Sequence, residues 1–563
     1  MSEHLHEWYL FHNTPPVEVG SSPMLILRSP VGESRQVELS DIAGFEAPLV
    51  THSFVWLVDW FRRSSLPLPV TVIELELAKK LIVGRPKSEF KHGNRPWDMP
   101  EIMAPYLPDK YDQPKVKHAL STHLSRASAA EFGNLEWMET IAGLLPKVWE
   151  DLKNELQRIE EAERFLSIEV PVFNAMLASQ LKGIRVDHDK RDALLYLVDR
   201  EYVSAHHSLS IVHKINVQRA FNETPYLLTC IGLSNISELE SYLPEEIIQE
   251  FKTSDPICSS LHTIVSTKRN KGILLRTFSL DSELCYPMFD TLGTVTGRIL
   301  AVDPQLQYLK KEYRSLLVPR DGRSHLYVDY AQFEPIIMGS LSCDSNLLRL
   351  CCEGDLYTGL ALRIFGGTHA RDDAKTLFLA YSYGMGKYGL ARLAARITND
   401  INEASRILEE NFFDKFSNIE LWKDSLYTAL ADNGRIGTSL GNYRNRTKKG
   451  PLDAREKRWA VSQVVQGTGA LILKRVIQKL TQVIPDAQML LPMHDALLIE
   501  IPSLDKAEIT QEIAAAFIDT FVEACPGTKP RVSLEPFAGT QKGPTMQSTR
   551  RAQWLSRMLG GAS

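Results

Sequence analysis

Two aspartates carry the clearest chemical suggestion in the chain. Asp329 lies in SHLYVDYAQFEPIIMGSL (324–341), where Leu326, Tyr327 and Val328 alternate as in a strand and the apolar spacing turns helical after Glu334. Asp495 lies in LPMHDALLIEIP (491–502), where AQMLLPM and ALLIEIP read as the arms of a hairpin with His494 and Asp495 at its turn. Carboxylates on neighbouring strands can hold two divalent cations ~3.5–4 Å apart, which stabilise the attacking and leaving oxygens of a phosphoryl transfer. Taken singly, each reads first as a turn residue that caps the backbone.

The segment between them strengthens the chemistry. In RDDAKTLFLAYSYGMGKYGLARLA (371–394), Arg371, Lys375, Leu379 and Tyr383 recur every four residues and so share a slowly drifting stripe on a helix. Two cations at one end suit a triphosphate, and an apolar residue followed by an aromatic ring suits a base. Gly384 and Gly386 let the helix stop close to its neighbour. Without the flanking aspartates, the same stripe is a solvated basic end of an amphipathic helix.

The elements that must position these residues follow from composition and pattern. A chain of 563 residues, 44% hydrophobic and 24% charged, can bury a large core and divides into three or four domains. Residues 1 to about 130 mix β-like runs, PMLILRSP and LPLPVTVIELELAKKLIV, with Pro-rich connections, which suggests an α/β domain with long loops. Helical periodicity begins at NLEWMETIAGLLPKVWEDLK, a boundary falls near residue 165, and residues 170–280 stay mostly helical until CYPMFDTLGTVTGR.

The net charge of −5 argues against a uniformly basic surface, yet cations cluster in STKRNKG (266–272), LKKEYR (309–314), NYRNRTKKG (442–450) and AREKR (454–458). Each run alone reads equally as a solvated loop. Seven cysteines without a CxxC pair indicate neither a disulfide framework nor a zinc site and fit a reducing compartment. No targeting or membrane-spanning segment is expected, and a monomer in the cytoplasm, a host's cytoplasm if the source is viral, is the corresponding expectation.

Together these motifs resemble the DNA polymerases of family A. DYAQFE is similar to the first palm motif DYSQIE, RDDAKTLFLAYSYGMGKYGLA to the fingers helix RxxxKxxxFxxxYG, and MHDA to the last palm motif VHDE. TVTGRILAVDPQLQYL resembles TxTGRLSSxxPNLQNI, and QGTGALILKRVI resembles QGTAADIxKxAM. With IEVPVFNAMLASQLKGIRVD (168–187), the match runs in family order over about residues 165–540.

The resemblance implies an α+β multidomain chain with the right-hand polymerase fold: an antiparallel palm sheet, helical fingers and thumb, and an N-terminal α/β exonuclease-like domain. The divisions would be 1–165 degenerate 3′-5′ exonuclease-like, 166–285 thumb and start of palm, 286–345 palm, 346–453 fingers, 454–545 palm and 546–563 tail. Asp329, Asp495 and the Tyr330 carbonyl would hold two magnesium ions, with manganese as an alternative. Arg371 and Lys375 would neutralise the incoming triphosphate as part of the catalytic set. Leu379, Tyr383, Glu334 and Gln332 would complete the nucleotide site, Tyr383 bordering the nascent pair and Glu334 crowding the sugar 2′ position. Arg298, Arg458, Gln466 and His494 would meet the primer-template, and Lys268 and Arg269 of the thumb would meet duplex phosphates. The partners implied are primer-template DNA and deoxynucleoside triphosphates, with a replisome or processivity factor as a further expectation.

Several positions depart from the family pattern. Ala496 stands where a glutamate follows the last aspartate, and Leu379 where Phe or Tyr is usual, with Phe378 one residue out of register. Tyr357 replaces a histidine, Ile336 an arginine and Ser462 an asparagine, a divergence that suggests a bacteriophage source. In the front domain PLVTHSFVWLVDWFRRSS is similar in outline to the second exonuclease motif, but Trp56 or Leu57 falls where its aspartate should be, no DxE precedes it, and Glu139 stands without the usual tyrosine. That domain is therefore expected to be catalytically silent. Two alternatives remain: a noncanonical nuclease site built from Asp59, Glu74, Glu76 and Glu139, and a DNA-binding relative weakened by Ala496.

Overall fold

The structure is a computed structural model and describes residues 7–13, 22–90, 95–107, 135–234, 243–252, 255–277, 283–504, 506–535 and 537. The 546–563 tail lies outside the described residues.

The N-terminal unit is built on a five-stranded sheet of β1 (Trp8–Asn13), β2 (Met24–Arg28), β3 (Ser34–Val37), β4 (Leu49–Thr51) and β5 (Val72–Glu74), in the order β3-β2-β1-β4-β5. The β1–β2 and β2–β3 pairs are antiparallel, whereas β1–β4 and β4–β5 are parallel. Leu10, Leu27, Val50 and Phe61 are buried in its core together with Trp149 of the helix Leu135–Arg158. The β-like reading of residues 66–83 holds only for Val72–Glu74. From Leu75 the chain is helical to Val83, because Leu75, Ala78, Leu81 and Ile82 recur at three- and four-residue spacing and bury one face.

No break in packing marks residue 165. The helix Val170–Lys182 buries Val170, Phe173 and Leu177 in the N-terminal core and Val172 and Met176 in the main core. Leu292 joins the N-terminal core from the far side, and Lys80 and Lys87 both clasp Asp290, the former at 2.5 Å. The front unit is thus fastened to the rest of the chain by a shared helix and by charge.

The described residues between 188 and 276 form a mostly helical lobe in which His188–His207 lies along Pro256–Arg276, capped by Asp187 and Asp255. Leu209, Leu227, Ile247, Leu261 and Ile264 make a separate core there.

The short ribbons β6–β7 (Ile184–Arg185 with Leu284–Cys285) and β8–β9 (Met288–Asp290 with Leu300–Asp303) lead into the central sheet. That sheet has the order β13-β14-β10-β15, from β10 (Arg323–Ala331), β13 (Gln488–Met493), β14 (Ala496–Pro502) and β15 (Arg531–Glu535), all antiparallel. β13 and β14 are almost wholly buried, so their continuous apolar runs reflect cover on both faces. The hairpin arms form as their pattern predicts.

Behind the sheet runs a thirty-residue helix, Ala454–Val483, started by a capping box between Asp453 and Glu456. A Cβ on Gly469 would stand 2.6 Å from the Phe333 ring, so glycine lets this helix approach the helix Phe333–Leu341. The helices Ser345–Glu353, Leu356–Phe365, Arg371–Ser382, Lys387–Thr398, Ile401–Asn411 and Ser417–Asn433 form a lobe around Phe378, Tyr381, Phe412 and Phe416. The hairpin β11 (Arg435–Thr438) and β12 (Gly441–Asn445) closes it.

Candidate active site

Strand β10 brings the two aspartates to one end of the central sheet. Asp329 pairs with Ala496 on one side and Ser533 on the other, and Asp495 immediately precedes β14. His494 adopts a left-handed φ of 55° to turn the hairpin, and the Tyr330 amide donates to the Asp495 carbonyl at 3.3 Å. A strand residue's N–H and C=O point to the same edge, so the Tyr330 carbonyl faces the Asp495 side.

Burial pushes the Asp329 carboxyl up to about 7, reinforced by Asp495 and Glu535 and opposed by Lys311 and Arg314. Asp495 is raised too, first by burial and then by Glu334. Oδ1 of Asp329 is buried without a hydrogen-bond partner. Mutually repelling carboxylates with an unsatisfied hard oxygen suit divalent cations. Among the described residues, no group of three or more His, Cys, Asp or Glu side chains is arranged to hold a metal ion. Two carboxylates and a carbonyl, completed by water and phosphate oxygens, are what magnesium commonly accepts.

A second group forms one hydrogen-bonded chain. Arg298 donates to Glu334 at 2.6 Å, the Tyr383 hydroxyl donates to the other Glu334 oxygen, and Gln466 reaches that hydroxyl at 3.4 Å. Burial and the neighbouring Glu334 raise the Tyr383 hydroxyl well above its usual range. His494 is lowered by burial and then by Arg298, which places it within the field of the same group.

The stripe on Arg371–Ser382 forms as its spacing predicts, with Tyr383 at the helix end and Gly384 at φ 86°. Leu379 is half-buried, while Phe378 is fully buried against Tyr357 and Phe416. Phe378 therefore serves the core and cannot stand in for Leu379. Arg371 and Lys375 lie 5.5 and 5.6 Å from the centre of the Tyr357 ring, and Arg371 also pairs with Asp355.

The remaining expected residues are distributed more widely. Gln332, at a left-handed φ of 56°, spends its side chain on the backbone: Nε2 donates to the Gly354 carbonyl at 3.0 Å and Oε1 accepts from Leu356 at 2.8 Å. Both ends of this amide are thus bonded to the backbone around Asp355. Arg458 is exposed beside Gly384. Lys268 and Arg269 are exposed on the helical lobe, over the rings of Tyr202 and Tyr308.

Of the four carboxylates of the alternative nuclease site, Glu74 and Glu76 lie together, both raised by burial and Glu74 also by Glu76, while Asp59 and Glu139 do not join them. Asp59 pairs with Arg62 and Arg63, Glu74 accepts from the Phe54 amide at 2.9 Å, and Glu76 accepts from Ser53 at 2.6 and 2.7 Å. Glu139 is exposed. Leu57 is fully buried, and the His12 and His52 rings stack at 4.3 Å nearby in the same unit.

Sequence reasoning missed Asp355 and Glu535. Asp355 had one available signal, its position one residue before a helix start, where capping is the ordinary explanation. Glu535 had none, since only sheet pairing sets it diagonally from Asp329.

An antiparallel sheet bearing a pair of repelling carboxylates at one end, with a helical lobe that carries the cationic stripe, is a polymerase-like fold. The model of DNA polymerase family A matches residues 239–528, over half of the chain, and the chain belongs to that family. DNA polymerase I of Chloroflexus aurantiacus is 25% identical over 393 residues, covering 62% of this chain and 41% of that protein. The thermostable DNA polymerase I of Thermus aquaticus is 26% identical over 396 residues, covering 63% and 46%. The chain thus spans less than half the length of these bacterial relatives. The fold is also that of the POL domain of Pol1 from M. smegmatis, solved in complex with DNA primer-template and dNTP, at a TM-score of 0.73 and 20% identity over 94% of this chain and 95% of that one. Among the described residues no helix is long and apolar enough to cross a membrane.

Proposed function

We propose that the chain is a template-directed DNA polymerase that adds deoxynucleotides to a primer 3′-hydroxyl. The observation that carries this reading is the juxtaposition of Asp329 and Asp495 at one end of the β10–β14 pair, each raised by burial and by a neighbouring carboxylate. Asp329, Asp495 and the Tyr330 carbonyl would hold two magnesium ions, or manganese in their place. When bound, such ions supply charge stabilisation to the attacking and leaving oxygens.

The chain's own residues do the positioning. The primer hydroxyl oxygen attacks the α-phosphorus and gives up its proton to solvent, the bond to the bridging oxygen breaks, and pyrophosphate leaves. Arg371 and Lys375 would neutralise the charge that gathers on the leaving phosphates. Tyr383, held by Glu334 and Gln466, would border the nascent pair, with Leu379 on the same helix face. Glu334, fixed by Arg298 and Tyr383, would fill the space a 2′-hydroxyl needs. His494, Arg458, Lys268 and Arg269 would meet the primer-template.

The N-terminal unit would lack exonuclease chemistry and act as a brace, since only Glu74 and Glu76 lie together there, while Asp59 is paired with Arg62 and Arg63 and Glu139 is exposed. The departures at Ile336, Tyr357 and Ser462 support a replicase of bacteriophage type.

The test is extension of a labelled primer-template with magnesium and four deoxynucleotides, beside Asp495→Asn and a reaction without nucleotides. Extension lost in the variant, with no shortening of the primer, is the expected result. No extension with any divalent metal would sink the reading.

A further inference from the structure

The guanidinium assigned to the nucleotide is already occupied. Arg371 donates from Nε to Oδ2 of Asp355 at 2.8 Å and from Nη2 to Oδ1 at 3.0 Å, a two-pronged pair. The same fork is how arginine binds a phosphate, so the carboxylate holds the geometry a phosphate would take. Lys375, four residues along, shares the Tyr357 ring with Arg371 but has no carboxylate within ion-pair distance among the described residues. The site therefore presents one available cation and one that must be taken from Asp355.

Asp355 is held by the sheet rather than by the helix that carries Arg371. The Gln332 side chain brackets it, bonding to the Gly354 carbonyl and the Leu356 amide on either side. Arg531 of β15 also donates to the Gly354 carbonyl, at 2.7 Å. Thr358 then fixes the carboxylate itself, its amide and hydroxyl donating to Oδ2 at 2.9 and 2.6 Å. Gln332, the first residue past β10, and Arg531 of β15 thus anchor the segment that carries this carboxylate. Burial would raise Asp355, but Arg371 and Thr358 outweigh it and keep the group charged.

We propose that Asp355 is a specificity-determining residue, an internal rival for Arg371 that admits a triphosphate and resists a diphosphate. The inference rests on the polymerase reading above. A ligand must carry enough negative charge to satisfy Lys375 and also displace the carboxylate, and a triphosphate has one more phosphate than a diphosphate to do so. Gln332 is the positioning residue that keeps the rival in reach.

The test compares wild type with Asp355→Asn, which retains the helix cap. KM for a deoxynucleoside triphosphate and Ki for the matching diphosphate are measured in primer extension. Equilibrium titration of both nucleotides onto enzyme with a dideoxy-terminated primer-template gives a second readout. The expected result is a KM lowered about three- to tenfold, the scale of an exposed two-pronged ion pair, with Ki for the diphosphate lowered further so that their ratio narrows. Gln332→Ala should shift the ratio in the same direction by less. A wild type that extends primers while Asp355→Asn leaves the ratio unchanged, or weakens both nucleotides alike, overturns the inference alone. A folded wild type that neither extends primers nor binds either nucleotide overturns the polymerase reading and the inference with it.

Discussion

Asp329 and Ala496 face one another across β10 and β14, so the residue directly opposite the first aspartate is an alanine and not a carboxylate. Ala496 is fully buried. Ala496→Glu would set a third negative group beside two that already repel, at a buried position. The variant should lose about 1–3 kcal/mol of stability without divalent cations and recover part of it as magnesium is added. Thermal melts over a magnesium titration check this; equal loss at all magnesium levels would count against a metal site at this pair.

Glu334 is held on both oxygens, by Arg298 and by Tyr383, and so cannot swing aside for a bulkier sugar. Glu334→Ala should raise the use of ribonucleotides relative to deoxynucleotides by about 10- to 100-fold, the scale of one filled pocket. The ratio of kcat/KM for paired ribo- and deoxynucleotides is the measurement. An unchanged ratio would remove Glu334 from sugar selection.

Lys268 and Arg269 stand exposed on the helical lobe, over the rings of Tyr202 and Tyr308. Replacing both with Ala should weaken primer-template binding for every sequence alike. It should also reduce the slope of log affinity against log salt by about 1–2, as expected when one or two phosphate contacts vanish. A fluorescence anisotropy titration at several salt concentrations decides it, and an unaltered slope would place the DNA elsewhere.

Glu500 anchors the far end of β14. Burial alone would raise its carboxyl, yet His325 and Arg320 outweigh burial and hold it at about 2. It accepts from the Arg320 amide at 3.0 Å and Nε at 2.7 Å, with Arg323 at 3.1 Å. A group depressed in the folded state contributes stability above its unfolded value, roughly 4.3, and loses it as pH falls toward 2. Glu500→Gln should therefore cost about 3 kcal/mol at neutral pH and flatten the loss of stability between pH 4.5 and 2. Melting followed by circular dichroism across that range is the check.

What the sequence determined by itself was local. The hairpin at 488–502, the strand-to-helix change around Gln332 and the stripe from Arg371 to Tyr383 are written in periodicity, which depends only on neighbouring residues. The tertiary structure decided what each side chain was spent on. Gln332 and Asp355 are ordinary polar letters until residues far apart in sequence bring Gly354 and Arg371 against them. Asp59, Glu74 and Glu76 could be metal ligands in a list of acids, but folding gives them arginines and backbone amides as nearer partners. Hydrogen bonds and ion pairs act over a few ångströms and saturate when made, so which partner an acid finds is settled by the packing of distant segments.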